Sequence, residues 1–252
     1  MMSKTQGIVL KEIRFKETSK ILNIYTKKFG RIHAMARGAY KPKSQLIANT
    51  QPFSLNEYDF YKGKNFYYIT QADIIDSFYS IRENMEKLIY GYYMLELVEK
   101  STPEEEENEK LFLLLEKGLR VLSKLDKDFL KFIVSYELKF ISFLGYKPYI
   151  EKCVVCKNED TSNIKFSIKE GGIICSNCSI MEPYSERMDK YMYEVMKTLL
   201  YTPLNKIIQI NIPKDVMFNL HDILVKYILY NIDRKEFNSL NLMKSLENNG
   251  GC

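Results

Sequence analysis

Apolar positions recur with the two-residue period of strands from Gln6 to about Asp76. Residues 7–15 and 20–26 alternate or run apolar over strand lengths, Lys27-Lys28-Phe29-Gly30 makes a turn, and residues 31–38 resume the pattern. Residues 53–61, a Lys62-Gly63-Lys64-Asn65 turn and residues 66–74 complete five strands. A parallel crossover needs a long connection, usually a helix, and this stretch contains none of sufficient length. The strands are therefore expected to close into a small antiparallel barrel, for which a five-stranded OB-fold is the commonest solution and an SH3-like barrel the alternative.

After Asp76 the period becomes helical. Ser80-Ile81-Arg82-Glu83 has the form of a capping box, and Leu88, Tyr92, Leu95 and Val98 mark one apolar face as far as Lys100. Thr102-Pro103-Glu104-Glu105 reads as the start of a second helix, with the acidic run 104–107 at the positive end of its dipole and a buried stripe of Leu111, Leu114, Leu115, Leu119 and Leu122. A third helix, about 126–144, carries Phe129, Phe132, Ile133, Tyr136, Phe140 and Leu144 before Gly145 ends it and Pro148 prevents resumption. Residues 185–200 and 213–230 repeat the scheme, and the tail from Leu240 to Cys252 is expected to fray. The fold class that follows is α+β: an N-terminal barrel over 1–79, then an all-α domain of 80–149 and 182–247 into which a metal module, 150–181, is inserted.

That module is defined by four of the five cysteines. Cys153-Val154-Val155-Cys156 and Cys175-Ser176-Asn177-Cys178 are two C-x2-C pairs whose separation suits a four-thiolate zinc site, each pair folding into a knuckle that offers two sulfurs to one tetrahedral ion. Two disulfides or four unrelated thiols are the alternatives. Four cysteine ligands close the coordination sphere and leave no position for an activated water, so one structural Zn2+ is expected. Between the knuckles, 163–168 alternates like a strand, Glu170-Gly171-Gly172 turns, and Ile173-Ile174 leads back. About thirty residues bury too little apolar surface to fold alone, and the metal would supply the difference. Cys252 is read as a free terminal thiol without a role.

Composition adds limits. With 46% hydrophobic and 27% charged residues the chain is ordinary globular protein. The N-terminal residues contain no apolar run long enough for a signal peptide, and no run approaches a membrane span; a cytoplasmic location without membrane partners is the expectation. The net charge of +5 is unevenly placed: residues 1–80 hold thirteen Lys plus Arg against six Asp plus Glu, while the rest of the chain is slightly acidic. A local excess of this kind suggests a polyanion-binding face.

No constellation for chemistry stands out. His33 and His221 are far apart in sequence and lack a visible nucleophile partner. The stretch 38–44 superficially looks like a phosphate loop, but Pro42 stands where a backbone donor is needed. No enzyme activity is therefore expected. The basic strands are the better lead: Lys11, Arg14, Lys16, Lys20, Lys27, Lys28, Arg31, Arg37, Lys41 and Lys43 fall within thirty-three residues, interleaved with Phe15, Tyr25, Phe29 and Tyr40. Cations that track phosphates beside rings on which bases stack are how such barrels hold single strands. The candidate DNA-binding set is Lys11, Arg14, Lys16, Lys27, Lys28, Arg31, Arg37, Tyr40, Lys41 and Lys43. A protein-interaction adaptor whose barrel docks an acidic partner, and a nucleic-acid enzyme with unrecognised carboxylates, are the competing readings.

Four blocks carry a family resemblance. Gly7-Ile8-Val9-Leu10, then Glu17-Thr18-Ser19-Lys20-Ile21-Leu22 with Thr26 and Gly30, then Ala36-Arg37-Gly38-Ala39-Tyr40-Lys41-Pro42-Lys43-Ser44 with Gln51-Pro52-Phe53, resemble the N-terminal domain of the bacterial recombination and repair family RecO. Phe143-Leu144-Gly145-Tyr146-Lys147-Pro148 before Cys153 and Cys156 resembles the start of that family's zinc insert. The resemblance implies an OB-fold, a helical C-terminal domain and a structural zinc finger that some members lack. It further implies a nucleoid-associated mediator without catalytic activity that binds single- and double-stranded DNA and anneals complementary strands. With RecR, such a mediator helps load RecA onto DNA coated by single-stranded DNA-binding protein, whose C-terminal tail the helical domain receives.

Overall fold

β1 (Met2–Phe15) is long enough to belong to both halves of a barrel, and its register shows how. Residues Met2 to Ile8 pair antiparallel with β4 (Leu55–Lys62), and Gly7 to Phe15 pair with β2 (Ser19–Thr26), with a bulge at Leu10 where the strand bends from one partner to the other. β3 (Gly30–Ala36) follows β2 through the expected tight turn, and β5 (Tyr67–Asp76) follows β4. A short parallel pairing of β3 with β5, at Ala34 with Tyr67 and Met35 with Tyr68, closes the barrel in the order β1-β2-β3-β5-β4. This is the OB-fold arrangement expected from the strand periods. These relations come from a computed structural model that describes residues 2–64, 66–182 and 184–249. Asn65 of the predicted turn and the terminal Cys252 lie outside the described residues.

The barrel is filled by Val9, Leu22, Ile24, Ile32, Ala34, Tyr58, Phe60 and their neighbours. Its β3–β4 end is covered by a single helical turn, α1 (Leu46–Asn49), too short to show in the hydrophobic period. Asn49 and the barrel satisfy each other there: the Tyr58 hydroxyl donates to the Asn49 carbonyl at 2.7 Å, and the Asn49 amide donates to Asn56 Oδ1 at 2.9 Å.

α2 (Tyr79–Arg82), α3 (Met85–Ser101) and α4 (Glu109–Lys124) complete this unit on the barrel's flank. The capping box expected at Ser80 does not form; Phe78 begins α2 in the left-handed region, and Asn84 caps α3 by accepting from the Lys87 amide. The stripe of α4 is buried as expected. On α3 Leu95 and Val98 are buried, but Leu88 is half-buried and Tyr92 exposed, because the helix is enclosed on several sides and its period is blurred. Thr102-Pro103 does not open a helix. Thr102 ends α3, α4 begins only at Glu109 with Asn108 accepting from the Leu111 amide, and 104–107 is a loop laid against β3.

The described contacts divide the chain into two compact units, one running to Lys124 and resuming at Phe237, the other Leu125–Glu236. The division expected from the period change lies near residue 80 instead. The reason for the later cut is that α2 to α4 share a core with the barrel: Phe53 meets Tyr92 at 5.0 Å and Tyr25 meets Phe112 at 6.4 Å between ring centres.

The second unit is built on α5 (Phe129–Phe143), whose Phe132, Ile133, Tyr136, Leu138 and Phe140 are buried on several faces. Gly145, with φ +97°, ends it in a Schellman turn: the Gly145 amide donates to Ser142 and the Tyr146 amide to Ile141. The metal module follows, with β6 (Ile164–Ser167), β7 (Gly172–Cys175), the single turn α6 (Ser176–Ser179) and β8 (Glu186–Met188) in the sheet order β7-β6-β8. β8 corrects the helix expected over 185–200: residues 186–188 pair with β6, and α7 (Lys190–Tyr201) starts after Asp189 accepts from the Met192 amide. A 3-10 segment, Leu204–Gln209, leads to α8 (Lys214–Asn231). α9 (Asn238–Asn249) belongs to the first unit and corrects the frayed tail over Leu240–Asn249. No helix among the described residues is long and apolar enough to cross a membrane.

Candidate nucleic-acid interface and metal centre

The knuckles bring the four predicted cysteines together. The sulfurs of Cys153, Cys156, Cys175 and Cys178 all lie within 4.8 Å of one another, and Cys156 and Cys175 are 3.7 Å apart. One tetrahedral ion with metal–sulfur bonds of about 2.3 Å requires sulfur separations of about 3.8 Å, so the set fits a single metal. The first knuckle turns through Lys157 at φ +63°, with its amide donating to the Cys153 carbonyl; the second turns through α6. Backbone donors favour charge on sulfur: the Cys175 amide donates to Cys153 Sγ at 3.4 Å. Burial pushes the Cys153 thiol up, but the amides of Cys156, Cys175 and Val155 outweigh it and hold the pKa at about 6. Cys178 is pushed up to about 12, first by its hydrogen bond to Cys156 and then by burial. Four sulfurs this close cannot all ionise without a cation among them.

The module is fixed to its unit by tyrosines. Tyr193 Oη donates to the Ile150 carbonyl at 3.0 Å, Tyr227 Oη to the Tyr146 carbonyl at 3.1 Å, and Phe166 meets the Tyr227 ring edge-on at 5.3 Å. Gly171, at φ +71°, passes so close that a Cβ would stand 2.8 Å from that hydroxyl.

The predicted basic residues do not form one surface. Lys16, Arg37 and Lys41 line an open groove of about 550 Å³ at the β1–β2 turn and the loop after β3, together with Lys64 and Phe66 of the β4–β5 connection and Tyr68 at the start of β5. Arg37 lies 4.8 Å over the Tyr68 ring and Lys16 5.5 Å over Phe15, and among the described residues no carboxylate lines the groove. Arg14 lies 5.4 Å over the exposed Tyr40 ring, whose other cationic neighbour, Lys20, is buried and paired with Glu12. Lys43 is exposed on the loop that carries Arg37 and Lys41.

The remaining four lie elsewhere. Lys11 lines a separate groove with Leu10, Pro52 and Tyr92. Lys27 pairs with Glu109 at 3.2 Å, and Lys28 donates to the Lys4 carbonyl at 3.1 Å. Arg31 is engaged: its Nε donates to the Thr102 carbonyl at 3.0 Å, its guanidinium faces Glu104 at 3.5 Å, and only 15% of its side chain is exposed. Lys64, Phe66 and Tyr68 were absent from the predicted set. The signal for them was a pair of lysines, Lys62 and Lys64, followed directly by three rings, Phe66-Tyr67-Tyr68, at the connection that OB-folds use for oligonucleotides.

Comparison with known families places the whole described chain. A family model described as Recombination protein O N terminal matches residues 1–78, and one described as Recombination protein O C terminal matches residues 82–241. Among curated relatives, a DNA repair protein RecO of Alkaliphilus metalliredigens is 35% identical over 98% of this chain and 100% of its own length. A DNA repair protein RecO of Bacillus pumilus is 33% identical over 98% and 97%, and that of Acetivibrio thermocellus 29% identical over 97% of each.

Proposed function

The chain belongs to the RecO family of DNA repair proteins, and from that premise we propose that it is a recombination mediator that holds single- and double-stranded DNA on its barrel and anneals complementary strands. In this reading it acts with RecR in the bacterial cytoplasm to help load RecA onto DNA coated by single-stranded DNA-binding protein, whose C-terminal tail the helical part receives. The observation that carries the reading is the groove of Lys16, Arg37, Lys41 and Lys64 with Phe15, Phe66 and Tyr68. Cations there can replace the counterions of a sugar-phosphate chain, and the rings offer faces on which bases stack without sequence preference. Annealing asks for neutralisation and positioning of two polyanions rather than bond chemistry, so the protein needs no catalytic group.

Zinc is the ion proposed for Cys153, Cys156, Cys175 and Cys178. Bound there it supplies folding energy to the three-stranded module and, with four protein ligands, activates no water. The test is annealing of two complementary oligonucleotides coated by single-stranded DNA-binding protein, with wild type and with Arg37→Glu/Lys64→Glu. Loss of annealing with the metal content unchanged is expected; full activity in the double variant would contradict the assignment.

One observation favours a second reading, an adaptor that docks acidic protein: β3 already carries an acidic segment, Glu104 to Glu107, along its side. An adaptor would choose partners by shape and bind an oligonucleotide weakly at any salt, which an electrophoretic shift distinguishes.

A further inference from the structure

β3 and β5 pair in parallel only at Ala34 with Tyr67 and Met35 with Tyr68, and because β5 begins at Tyr67 it leaves the edge of β3 toward Gly30 open on that side. The opening holds the chain's own acidic loop. Glu104 makes a parallel bridge to Arg31, and the Glu105 amide donates to the Arg31 carbonyl at 2.9 Å. Glu104 also accepts from His33 Nε2 at 3.0 Å, and Glu105 accepts from Lys62 Nζ at 2.6 Å. Gly30 makes room for the loop: at φ +62°, a Cβ there would fall 1.9 Å from the Glu106 carbonyl oxygen.

The place matters more than the charges. OB-folds take oligonucleotides across strands 2 and 3 and between the connections that follow strands 1 and 4. The open groove lies at one end of that path, and Lys64 and Phe66 line both it and the adjoining cleft where Glu104 and Glu105 sit. A strand leaving the groove over the β4–β5 connection therefore meets the acidic loop next.

We infer that the cleft lined by His33, Lys62 and Lys64, with Arg31 paired to the loop that fills it, is a second segment of the polyanion-binding surface, occupied in the free protein by the acidic loop 104–107, which a longer nucleic-acid strand displaces. The inference rests on the DNA-binding reading of the barrel. The side-chain part of the displacement costs little, because the Glu104 and Glu105 carboxylates paired with Arg31, His33 and Lys62 are exposed and such pairs contribute little individually; the Glu105–Arg31 backbone bond is the larger part of what the strand must replace. Phosphates arriving at the same cations also release counterions, which the carboxylates do not.

The experiment compares wild type, Glu104→Gln/Glu105→Gln and a control of equal charge change, Glu83→Gln/Glu86→Gln, in anisotropy titrations with a twenty-nucleotide oligothymidylate at several salt concentrations. Hydrogen exchange of the 104–107 amides, of which Glu105 donates to the Arg31 carbonyl, is followed with and without the oligonucleotide. The strap variant should bind about two- to thirtyfold more tightly than the control, the range that release of two exposed ion pairs allows. Its salt slope should steepen by about 1.4, or about 0.7 for each freed cation. In wild type the 104–107 amides should exchange faster once the oligonucleotide is bound. Binding by wild type with those amides still protected, or a gain no larger than the control's, would overturn the strap while leaving the barrel's DNA binding intact. Failure of every variant to bind would overturn the barrel reading and the strap with it, and binding by the strap variant alone would show a loop that blocks the surface without being displaced, which overturns the displacement.

Discussion

Arg37 and Phe66 face the same groove and should leave different marks on binding. A cation sets how steeply affinity falls with salt; a ring sets affinity at any salt. Phe66→Ala is expected to lose about 1–3 kcal/mol of oligothymidylate binding with the salt slope unchanged. Arg37→Glu should flatten the slope by about 0.7 or more. Anisotropy titrations across a salt series separate the two, and identical behaviour of both variants would contradict the division. A stability prediction belongs at Gly30. Gly30→Ala places a methyl against the Glu106 backbone at a left-handed φ, and should cost at least about 1 kcal/mol in urea unfolding. Which cations matter was only half legible at this scale. Lys16, Arg37 and Lys41 stand out as a cluster in the chain, but nothing local to Arg31 or Lys27 reveals that Glu104 and Glu109, more than seventy residues on, would neutralise them. Lys64 was missed because it looks like one lysine in a polar turn until the barrel folds it beside Arg37.

The elements most faithfully announced by sequence are those with one buried face. α4 and α8 keep their predicted stripes, and α5 ends where Gly145 permits a left-handed turn. Elements defined by distant partners were hidden: β8 exists because it pairs with β6, and α1 is a single turn held by the Asn49 network. α9 is the clearest such case. Its N-terminus is capped from another helix, Glu96 accepting from the amides of Asn238 and Ser239 and from the Ser239 hydroxyl at 2.6–2.9 Å. Glu96→Ala should cost about 1 kcal/mol and raise amide exchange selectively in α9. The paired cysteines, by contrast, were legible in full because C-x2-C spacing is a local constraint. Metal removal by chelator should unfold β6 to β8, read as fast exchange at 164–175, while the amides of β2 and β3 stay protected. Acid should do the same. Cys153 has its pKa held down at about 6, so the thiolate's contribution is complete above the ordinary value near 9 and fades as pH falls through about 6. A bound metal holds the thiolates against protonation, so metal content should stay full through that interval and decline only below about 6; retention of a full equivalent in strong acid would argue against thiolate ligation.

Across the whole molecule, charge and metal are segregated. The basic excess lies in residues 1–80, the four-sulfur centre lies within Leu125–Glu236, and the two family models meet between residues 78 and 82, where the hydrophobic period changes. Sequence period thus marks the boundary between the matched regions, whereas the compact units divide at Lys124 because aromatic contacts such as Phe53 with Tyr92 tie α3 to the barrel. In the proposed reading that partition separates gripping DNA from holding the helical unit in shape, and one measurement probes it directly: the salt dependence of oligothymidylate binding for wild type and for Arg37→Glu/Lys64→Glu, with metal content determined on the same samples. Wild type should lose affinity steeply as salt rises, and the double variant should bind weakly with a slope lower by at least about 1.4 while keeping its metal. An unchanged slope and affinity in the double variant, with metal retained, would show that the groove between the β1–β2 turn and the β4–β5 connection is not where the polyanion is held.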